Sequence, residues 1–230
     1  LKLLAEWNGE MNEHLPEPLI FYSWMRRLQE RLVQDELGVL SQEFGNFDPI
    51  FLERVFRNID GASVWCDIVQ SISKEECDTI AELALYDAIS ELKAKYKVEI
   101  TSLRWGDAHI AMHDHLTLGH IPLLNLLLNL RQSVSGGDYT LQRGLSSGNE
   151  YNPFENVHAA VYRGVYDFSD PDSSLYIIST GQSGHLFSRH YDDLGQLWRR
   201  GEYIAMSLDP ELAKAASNGT TKIIPASNLQ

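Results

Sequence analysis

Hydrophobic residues in the first hundred positions recur with the three- and four-residue spacing of amphipathic helices. One predicted helix covers PLIFYSWMRRLQERLVQDEL and ends at Gly38, a natural stop. Its apolar stripe consists of Leu19, Ile20, Trp24, Leu28, Leu32 and Val33. We expect Trp24, Leu28 and Leu32 to be buried. We expect the other side of the helix to face solvent at Arg27, Gln29 and Glu30.

A second helix is predicted over CDTIAELALYDAISELKAKY. The segment Ser73-Lys74-Glu75-Glu76 has the spacing of a capping box, which predicts a helix start just before Cys77. The apolar side of this helix consists of Ile80, Leu83, Ala84, Ala88 and Leu92. Between the two helices, the stretch from Asn58 to Ser73 is predicted to be a loop around the Asp60-Gly61 turn signal.

The middle of the chain is less regular. Leu103 to His115 fits either a strand or a short helix, and the pattern does not separate the two. Ile121 to Leu130 is strongly apolar but only about half as long as a membrane span, so we expect it to be buried in the protein.

After Val134 the pattern changes to short β-rich runs bounded by Gly, Pro and Asp. These runs are GGDYTLQRG, HAAVYRGVYDF and SSLYIISTG, the last two separated by a predicted turn at DPDS. A final short helix is expected to begin at Pro210, with Asp209 as its N-cap.

Helices followed by strands, without βαβ alternation, predict an α+β fold. We interpret residues 1–230 as a single region. Residues 1–130 are expected to be mainly helical, and residues 131–230 mainly β with a short C-terminal helix.

Composition excludes some partners and leaves others open. The chain is 43% hydrophobic and 22% charged, an ordinary globular balance, and its net charge of −13 argues against a nucleic-acid surface. No apolar run is long enough to cross a membrane. We interpret an opening residue other than methionine, Leu1, as a sign of cleavage or truncation.

The two cysteines, Cys66 and Cys77, lie in VWCDIVQSISKEEC. They could form a short-loop disulfide in an oxidising compartment or remain two buried thiols in a reducing one. The spacing does not fit a zinc pattern.

Candidate nucleophiles centre on the segment TGQSGHLFSRHYDD. Gly181-Gln182-Ser183-Gly184 partly matches the G-x-S-x-G nucleophile elbow, but His185 stands where the second glycine belongs. No helical pattern follows directly. We therefore interpret Ser183 as a turn serine that bonds backbone groups.

Two further clusters are candidates for metal or acid–base sites. His109 and His113 have helical metal-ligand spacing, with Asp114, His115 and His120 nearby, but the Glu of H-E-x-x-H is absent. Asp192 and Asp193 are adjacent, so on a regular element their side chains diverge; Asp193 is expected to cap the next turn. In both cases the structural interpretation is preferred.

The colinear segments of the chain resemble the C-terminal part of the β subunit in the penicillin amidase (penicillin acylase) family. That family includes acyl-homoserine-lactone acylases and belongs to the N-terminal-nucleophile hydrolases. The resemblance rests mainly on GQSG, S-x-HYDD, LW and GEY near the C-terminus. The supporting segments, in order, are LAEWNG, DELG, WGDAH, GGD and YRGVYD.

The resemblance implies an amide hydrolase with an αββα sandwich, in which these residues form one part. It implies a serine nucleophile at a processed chain terminus upstream, so no catalytic or metal-binding residue is assigned within residues 1–230. A family calcium site is likewise expected upstream, with no cofactor in this chain. Two departures, a missing residue after GGD and Asp114 between His113 and His115, bear on pocket shape.

The resemblance also implies the partners and the compartment. The partners would be the upstream part of the β subunit, the α subunit of the same precursor and a small N-acyl substrate, with no nucleic acid or membrane. A periplasmic or secreted location is expected. Since the WC…C arrangement recurs among such relatives, the resemblance favours a Cys66–Cys77 disulfide.

Two alternatives remain open. One is an autonomous metal-dependent hydrolase that uses the His109–His120 cluster. The other is a binding domain without enzyme activity.

Overall fold

The computed structural model describes residues 1–217 and 219–224. The chain forms two compact units, Leu1–Ala160 and a second unit that begins at Val161. The boundary lies C-terminal to the change of pattern near Val134. In the described part of the chain, no helix has both the length and the apolar character needed to cross a bilayer.

The helices are concentrated in the first unit. The α-helices are α1 (Lys2–Glu6), α2 (Glu17–Leu37), α3 (Pro49–Phe56), α4 (Cys77–Tyr96), α5 (Leu124–Leu128), α6 (Gly195–Arg199) and α7 (Pro210–Ala216). Short 3-10 helices cover Gly38–Phe44, Ile59–Cys66, Ile100–Ser102, Trp105–Asp107 and Pro171–Ser173. The two long helices predicted from the sequence, α2 and α4, are confirmed.

The strands form two sheets, one in each unit. They are β1 (Ile110–His113), β2 (Leu130–Ser133), β3 (Gly144–Ser146), β4 (Asn156–Ala159), β5 (Tyr162–Val165), β6 (Leu175–Ile178) and β7 (Ile204–Ala205). The first unit has the order β2-β1-β4-β3, and the second has β5-β6-β7.

The α+β class, with helices first and strands later, is confirmed. The sheet of the first unit differs from expectation in one respect, because β1 pairs parallel with β4 through Ala111 and Asn156. The other strand pairs are antiparallel. The stretch from Leu103 to His115 contains both a 3-10 turn and strand β1, so both interpretations of its pattern were partly right.

The core of the first unit lies where α2 packs on α4. Leu19, Leu28 and Leu32 of α2 are buried, as the apolar stripe predicted. Trp24 is only partly buried; its indole Nε1 donates a 2.8 Å hydrogen bond to the Ala81 carbonyl of α4. Ion pairs at the edge of this interface join Arg27 to Glu91 and Arg31 to Asp87.

Gln29 contradicts the sequence expectation, because it is buried and not solvent-facing. Its amide Nε2 donates to the carbonyls of Phe44 and Asn46, at 3.2 and 2.7 Å. Its Oε1 accepts a hydrogen bond from the backbone N–H of Asp48. The side chain thus satisfies the backbone of the segment between α2 and α3, which helical periodicity alone does not indicate.

The predicted capping box is also wrong in its hydrogen bonds, although α4 does begin at Cys77. The N-cap is Glu76, and it makes no side-chain capping bond. The Glu75 carboxylate instead accepts from the Ile68 N–H at 3.0 Å and from the Ser71 hydroxyl at 2.7 Å. It therefore holds the preceding turn and not the helix end.

The run from Ile121 to Leu130 was expected to be buried, but most of its apolar side chains are exposed. Ile121, Leu123, Leu126 and Leu127 are exposed, while Leu128 is buried. The run forms the connection between β1 and β2 and contains the short helix α5. A five-residue helix has too little surface to turn every apolar side chain inward.

The predicted strand GGDYTLQRG is mostly a turn, and β3 begins only at Gly144. Gly136 has a φ of 95°, and a Cβ there would lie 1.9 Å from the Gln142 carbonyl oxygen. Only glycine allows this close approach of two backbone segments. The tight turn replaces the first part of the predicted strand.

The second unit follows its predicted pattern closely. Strands β5 and β6 pair antiparallel around a Pro171–Ser173 turn, as the DPDS signal indicated. Asp209 caps α7, and its carboxylate accepts from the N–H groups of Glu211 and Leu212. Ile177 and Trp198 are buried, and the Arg163 guanidinium lies over the Trp198 ring at 5.2 Å.

Candidate functional site

Ser183 lies in a turn whose backbone is closed by hydrogen bonds between distant positions. Its N–H donates to the His190 carbonyl at 2.9 Å, and the Leu194 N–H donates to the Thr180 carbonyl at 3.0 Å. The Ser183 hydroxyl accepts from the His185 N–H at 3.1 Å. The hydroxyl therefore stabilises its own turn, as the sequence pattern indicated.

His190 is the residue of this segment that most resembles part of a catalytic triad. Its Nδ1 lies 2.7 Å from Asp193 Oδ2, and its Nε2 accepts a 3.0 Å hydrogen bond from Arg189 Nε. A general base for Ser183 would need the Nε2 lone pair. Because Arg189 uses that lone pair, the His190–Asp193 pair does not present a base to Ser183.

Asp193 does not have the expected capping role. Helix α6 has Leu194 as its N-cap, with no side-chain cap, while the Asp193 carboxylate bonds His190. Gly181 also belongs to this arrangement, because a Cβ there would lie 2.1 Å from the His190 carbonyl oxygen. The segment is thus a packed turn in which the His190 backbone leaves no room for a side chain at position 181.

His109 is fully buried and takes part in the core of the first unit. Its ring stacks on Trp105 with centroids 4.5 Å apart, and its Nδ1 lies 2.8 Å from the Phe154 carbonyl oxygen. A carbonyl only accepts, so Nδ1 carries the proton and Nε2 is unprotonated. Burial lowers the pKa of His109 to about 4, so the ring is neutral near pH 7.

The remaining histidines of this cluster serve different neighbours. His113 lies on β1, and burial together with the charge of Arg131 lowers its pKa. His115 Nδ1 accepts from the Leu118 N–H at 3.2 Å, while His120 is exposed. Across residues 1–217 and 219–224, no three His, Cys, Asp or Glu side chains are grouped to hold a metal ion.

A buried carboxylate, Asp138, organises the polar interior of the first unit. Its two oxygens accept from the N–H and the hydroxyl of Ser146, at 2.8 and 2.9 Å. Its own N–H donates to the Tyr22 hydroxyl at 3.1 Å. Burial, together with the Asp138 charge, raises the pKa of Tyr22 above its ordinary value.

Sequence patterns did not identify the role of Asp138, although GGD was among the segments of the resemblance. The Gly-Gly pair did carry a signal, since a Cβ at Gly137 would lie 2.6 Å from the Tyr22 hydroxyl. The partner Ser146 could not be inferred, because the intervening turn brings it back to Asp138. This network fixes the loop before β3 against α2.

Cys66 and Cys77 form a disulfide, with Cα atoms 5.0 Å apart. The bond joins the end of the Ile59–Cys66 helix to the first residue of α4. Cys66 is buried in the core beside the helices that it connects. The disulfide therefore fastens the irregular segment after α3 to the regular core.

Known proteins resemble this chain along most of its length. The family model described as Penicillin amidase matches residues 1–215. A penicillin acylase 2 proenzyme from Pseudomonas sp. (strain SE83) is 24% identical over 97% of this chain and 28% of that protein. The acyl-homoserine lactone acylase QuiP of Pseudomonas syringae pv. tomato is 23% identical over 90% of this chain and 26% of that protein.

A thermostable penicillin G acylase from Alcaligenes faecalis is similar in structure, with a TM-score of 0.48 and 15% identity. The similarity covers 99% of this chain and 42% of the acylase chain. The present chain spans 28% and 26% of the lengths of the two curated relatives described above. Because the family model covers nearly all of the sequence, the chain belongs to the penicillin amidase family.

Proposed function

We propose that this chain is the C-terminal part of an acylase that hydrolyses the amide bond of an N-acyl compound. The observation that carries the proposal is the penicillin amidase match over residues 1–215. The relatives include a penicillin acylase and an acyl-homoserine lactone acylase. Both names denote cleavage of an acyl group from nitrogen, so the reaction class is the same for either substrate.

Amide hydrolysis requires a nucleophile, a base that takes its proton, and donors that stabilise the developing oxyanion. The Ser183 hydroxyl bonds its own turn, and His190 Nε2 is bonded to Arg189. These contacts support a scaffold role for the segment. We therefore propose that the nucleophile and its base come from polypeptide outside residues 1–230.

The partner in this proposal is the rest of the same precursor, including its second subunit. One relative is named a proenzyme, and this chain matches 28% of its length. We also place the calcium site expected from the family resemblance in that other polypeptide. Within the described residues, no group of acidic or histidine side chains fits a metal ion, and no reaction step is assigned to one.

The compartment proposed is the periplasm or the exterior of the cell. The Cys66–Cys77 disulfide supports it, because structural disulfides persist in oxidising compartments. The net charge of −13 is compatible with a protein whose substrate is a small molecule and not a nucleic acid.

Hydrolysis assays on the complete polypeptide test this function. The substrates should be a penicillin, an N-acyl-homoserine lactone and a chromogenic N-acyl amide, with products identified by mass spectrometry. We expect release of the free acid and the free amine from at least one of them. Absence of hydrolysis in all three, from folded and fully processed protein, would contradict the proposed function.

The metal-dependent alternative predicts a different result in the same assay. If His109, His113 and Asp114 or His115 formed a hydrolytic centre, a His113→Gln variant would be inactive. We expect the His113→Gln variant to keep its activity. Two of the other proposed metal ligands are already engaged, since Asp114 forms an ion pair with Arg131 and His109 Nδ1 bonds the Phe154 carbonyl.

A further inference from the structure

The connection between β1 and β2 exposes a continuous group of aliphatic side chains. We call residues 116–127 the apolar loop. Its leucine and isoleucine side chains that are more than a third exposed are Leu116, Leu118, Ile121, Leu123, Leu124, Leu126 and Leu127; Thr117, His120 and Pro122 are exposed among them. No Asp, Glu, Lys or Arg occurs between Asp114 and Arg131. Scattered apolar residues are normal on a protein surface, but a contiguous patch marks an interaction site.

Internal hydrogen bonds hold the apolar loop in a fixed shape. Asn129 Oδ1 accepts from the His115 N–H at 3.0 Å, and Asn129 Nδ2 donates to the Gly119 carbonyl at 3.1 Å. The Asp114–Arg131 ion pair closes the base of the loop. These polar groups therefore bond one another at the base of the loop, while its leucine side chains are exposed.

One backbone angle supports a function for this shape. Leu123 has a φ of 72°, in a region that residues other than glycine rarely adopt. Such a conformation persists only where the surroundings enforce it. Leu123 is itself 75% exposed, so burial of its side chain within this chain does not account for the unfavourable angle.

A membrane surface does not match the chemistry of the loop. Helices that bind membrane surfaces carry Lys or Arg beside their apolar face and are attracted to anionic lipids. The apolar loop contains no Lys or Arg, α5 has only five residues, and the whole chain has a net charge of −13. An apolar protein surface is the better match.

We propose that the apolar loop is a docking surface for another part of the same acylase polypeptide, outside residues 1–230. This inference rests on the proposed function, in which the chain works within a longer protein. The relatives contain much more polypeptide than this chain matches, since the matched part is 28% of one and 26% of another. The proposed contact would remove uncharged leucine side chains from water.

Carbene footprinting tests the docking surface in the complete polypeptide and in the 230-residue chain. The probe is a photoactivated diazirine, which labels any accessible side chain. We expect labelling of the apolar-loop peptide to fall at least tenfold in the complete protein. The reference is the peptide containing Leu141, which is fully exposed between polar neighbours and should change less than twofold.

A matched pair of variants gives a second readout. Leu126→Asp in the apolar loop should reduce the recovery of soluble, assembled acylase at least tenfold, while Leu141→Asp should leave it within twofold of the parent. Both variants of the 230-residue chain should keep the parent's melting temperature, because both side chains are exposed. Equal labelling in the two proteins, or equal recovery of the two variants, would overturn the docking surface.

The other possible occupants give distinct results. Protection that rises with the concentration of the 230-residue chain alone would identify a second copy. Protection that appears only with anionic phospholipid vesicles would identify a membrane surface. Either result would overturn the inference. A protected loop without hydrolysis would contradict only the proposed function, whereas hydrolysis with an unprotected loop would contradict only the docking surface.

Discussion

Two buried polar side chains, His109 and Gln29, show how single residues stabilise the first unit. Each satisfies backbone groups that would otherwise be buried without a partner. Leaving such a group unsatisfied costs roughly 1–3 kcal/mol. Both residues therefore have structural roles that a hydrophobic pattern does not reveal.

His109 makes stability depend on pH. Its pKa is about 4 in the folded chain, against an ordinary value of 6.5 for the unfolded chain. Between these pH values the unfolded chain binds the proton more strongly than the folded chain. The stability that depends on a neutral, buried His109 is therefore fully present above pH 6.5 and is lost as pH falls towards 4. We expect a loss of about 2 kcal/mol between pH 7 and pH 5. Urea denaturation at the two pH values measures it.

His109→Gln should remove most of this pH dependence while keeping an amide donor for the Phe154 carbonyl. His120→Gln is the control, because His120 is exposed. Comparing each variant with the parent cancels the contributions of the other titrating groups. An unchanged pH dependence in His109→Gln would mean that the histidine is not buried as a neutral ring.

Gln29→Leu should destabilise the first unit by about 3 kcal/mol, because it leaves two carbonyls and one N–H without their partner. Gln34→Leu, on an exposed position of the same helix, should change stability by less than about 0.5 kcal/mol. Both values come from the free energy of unfolding in urea. A cost below about 1 kcal/mol for Gln29→Leu would contradict the observed hydrogen bonds.

At the scale of elements, the core is the α2–α4 pair, and the disulfide fastens the irregular segment to it. The bounds of both helices and most of their apolar stripes could be predicted because they depend on local spacing and on Gly38, but Leu83 of the predicted α4 stripe is 40% exposed. The burial of Gln29 and the bonds of Glu75 could not, because each depends on a loop folding back onto a helix. The exposure of Ile121 to Leu127 likewise depends on tertiary packing.

The Cys66–Cys77 disulfide should contribute to the stability of the first unit. Alkylation of unreduced, denatured protein should detect no free thiol. Reduction should cost roughly 3 kcal/mol in the chain-entropy account, since the loop between Cys66 and Cys77 is short. A Cys66→Ser/Cys77→Ser double variant should match the reduced protein. Full alkylation of both cysteines without reduction would contradict the disulfide.

For the whole molecule, the sequence alone was enough to predict the family and the order of helices and strands in the α+β fold. The candidate sites were decided by contacts: the GQSG–HYDD segment is a closed turn, and the histidine cluster is divided among a carbonyl, a strand and a loop. Such pairings join residues that are distant along the chain, so spacing could not establish them. The apolar loop is a surface that remains exposed in this chain.

Under the proposed function, the attacking serine of the acylase lies outside residues 1–230. Covalent trapping of the complete protein with a serine-reactive sulfonyl fluoride, followed by peptide mapping, would locate that serine. We expect the modified residue in a peptide that does not belong to this chain, and no modification of the 230-residue chain alone. Modification of Ser183, with both the modification and the hydrolysis lost in Ser183→Ala, would instead place the nucleophile within this chain.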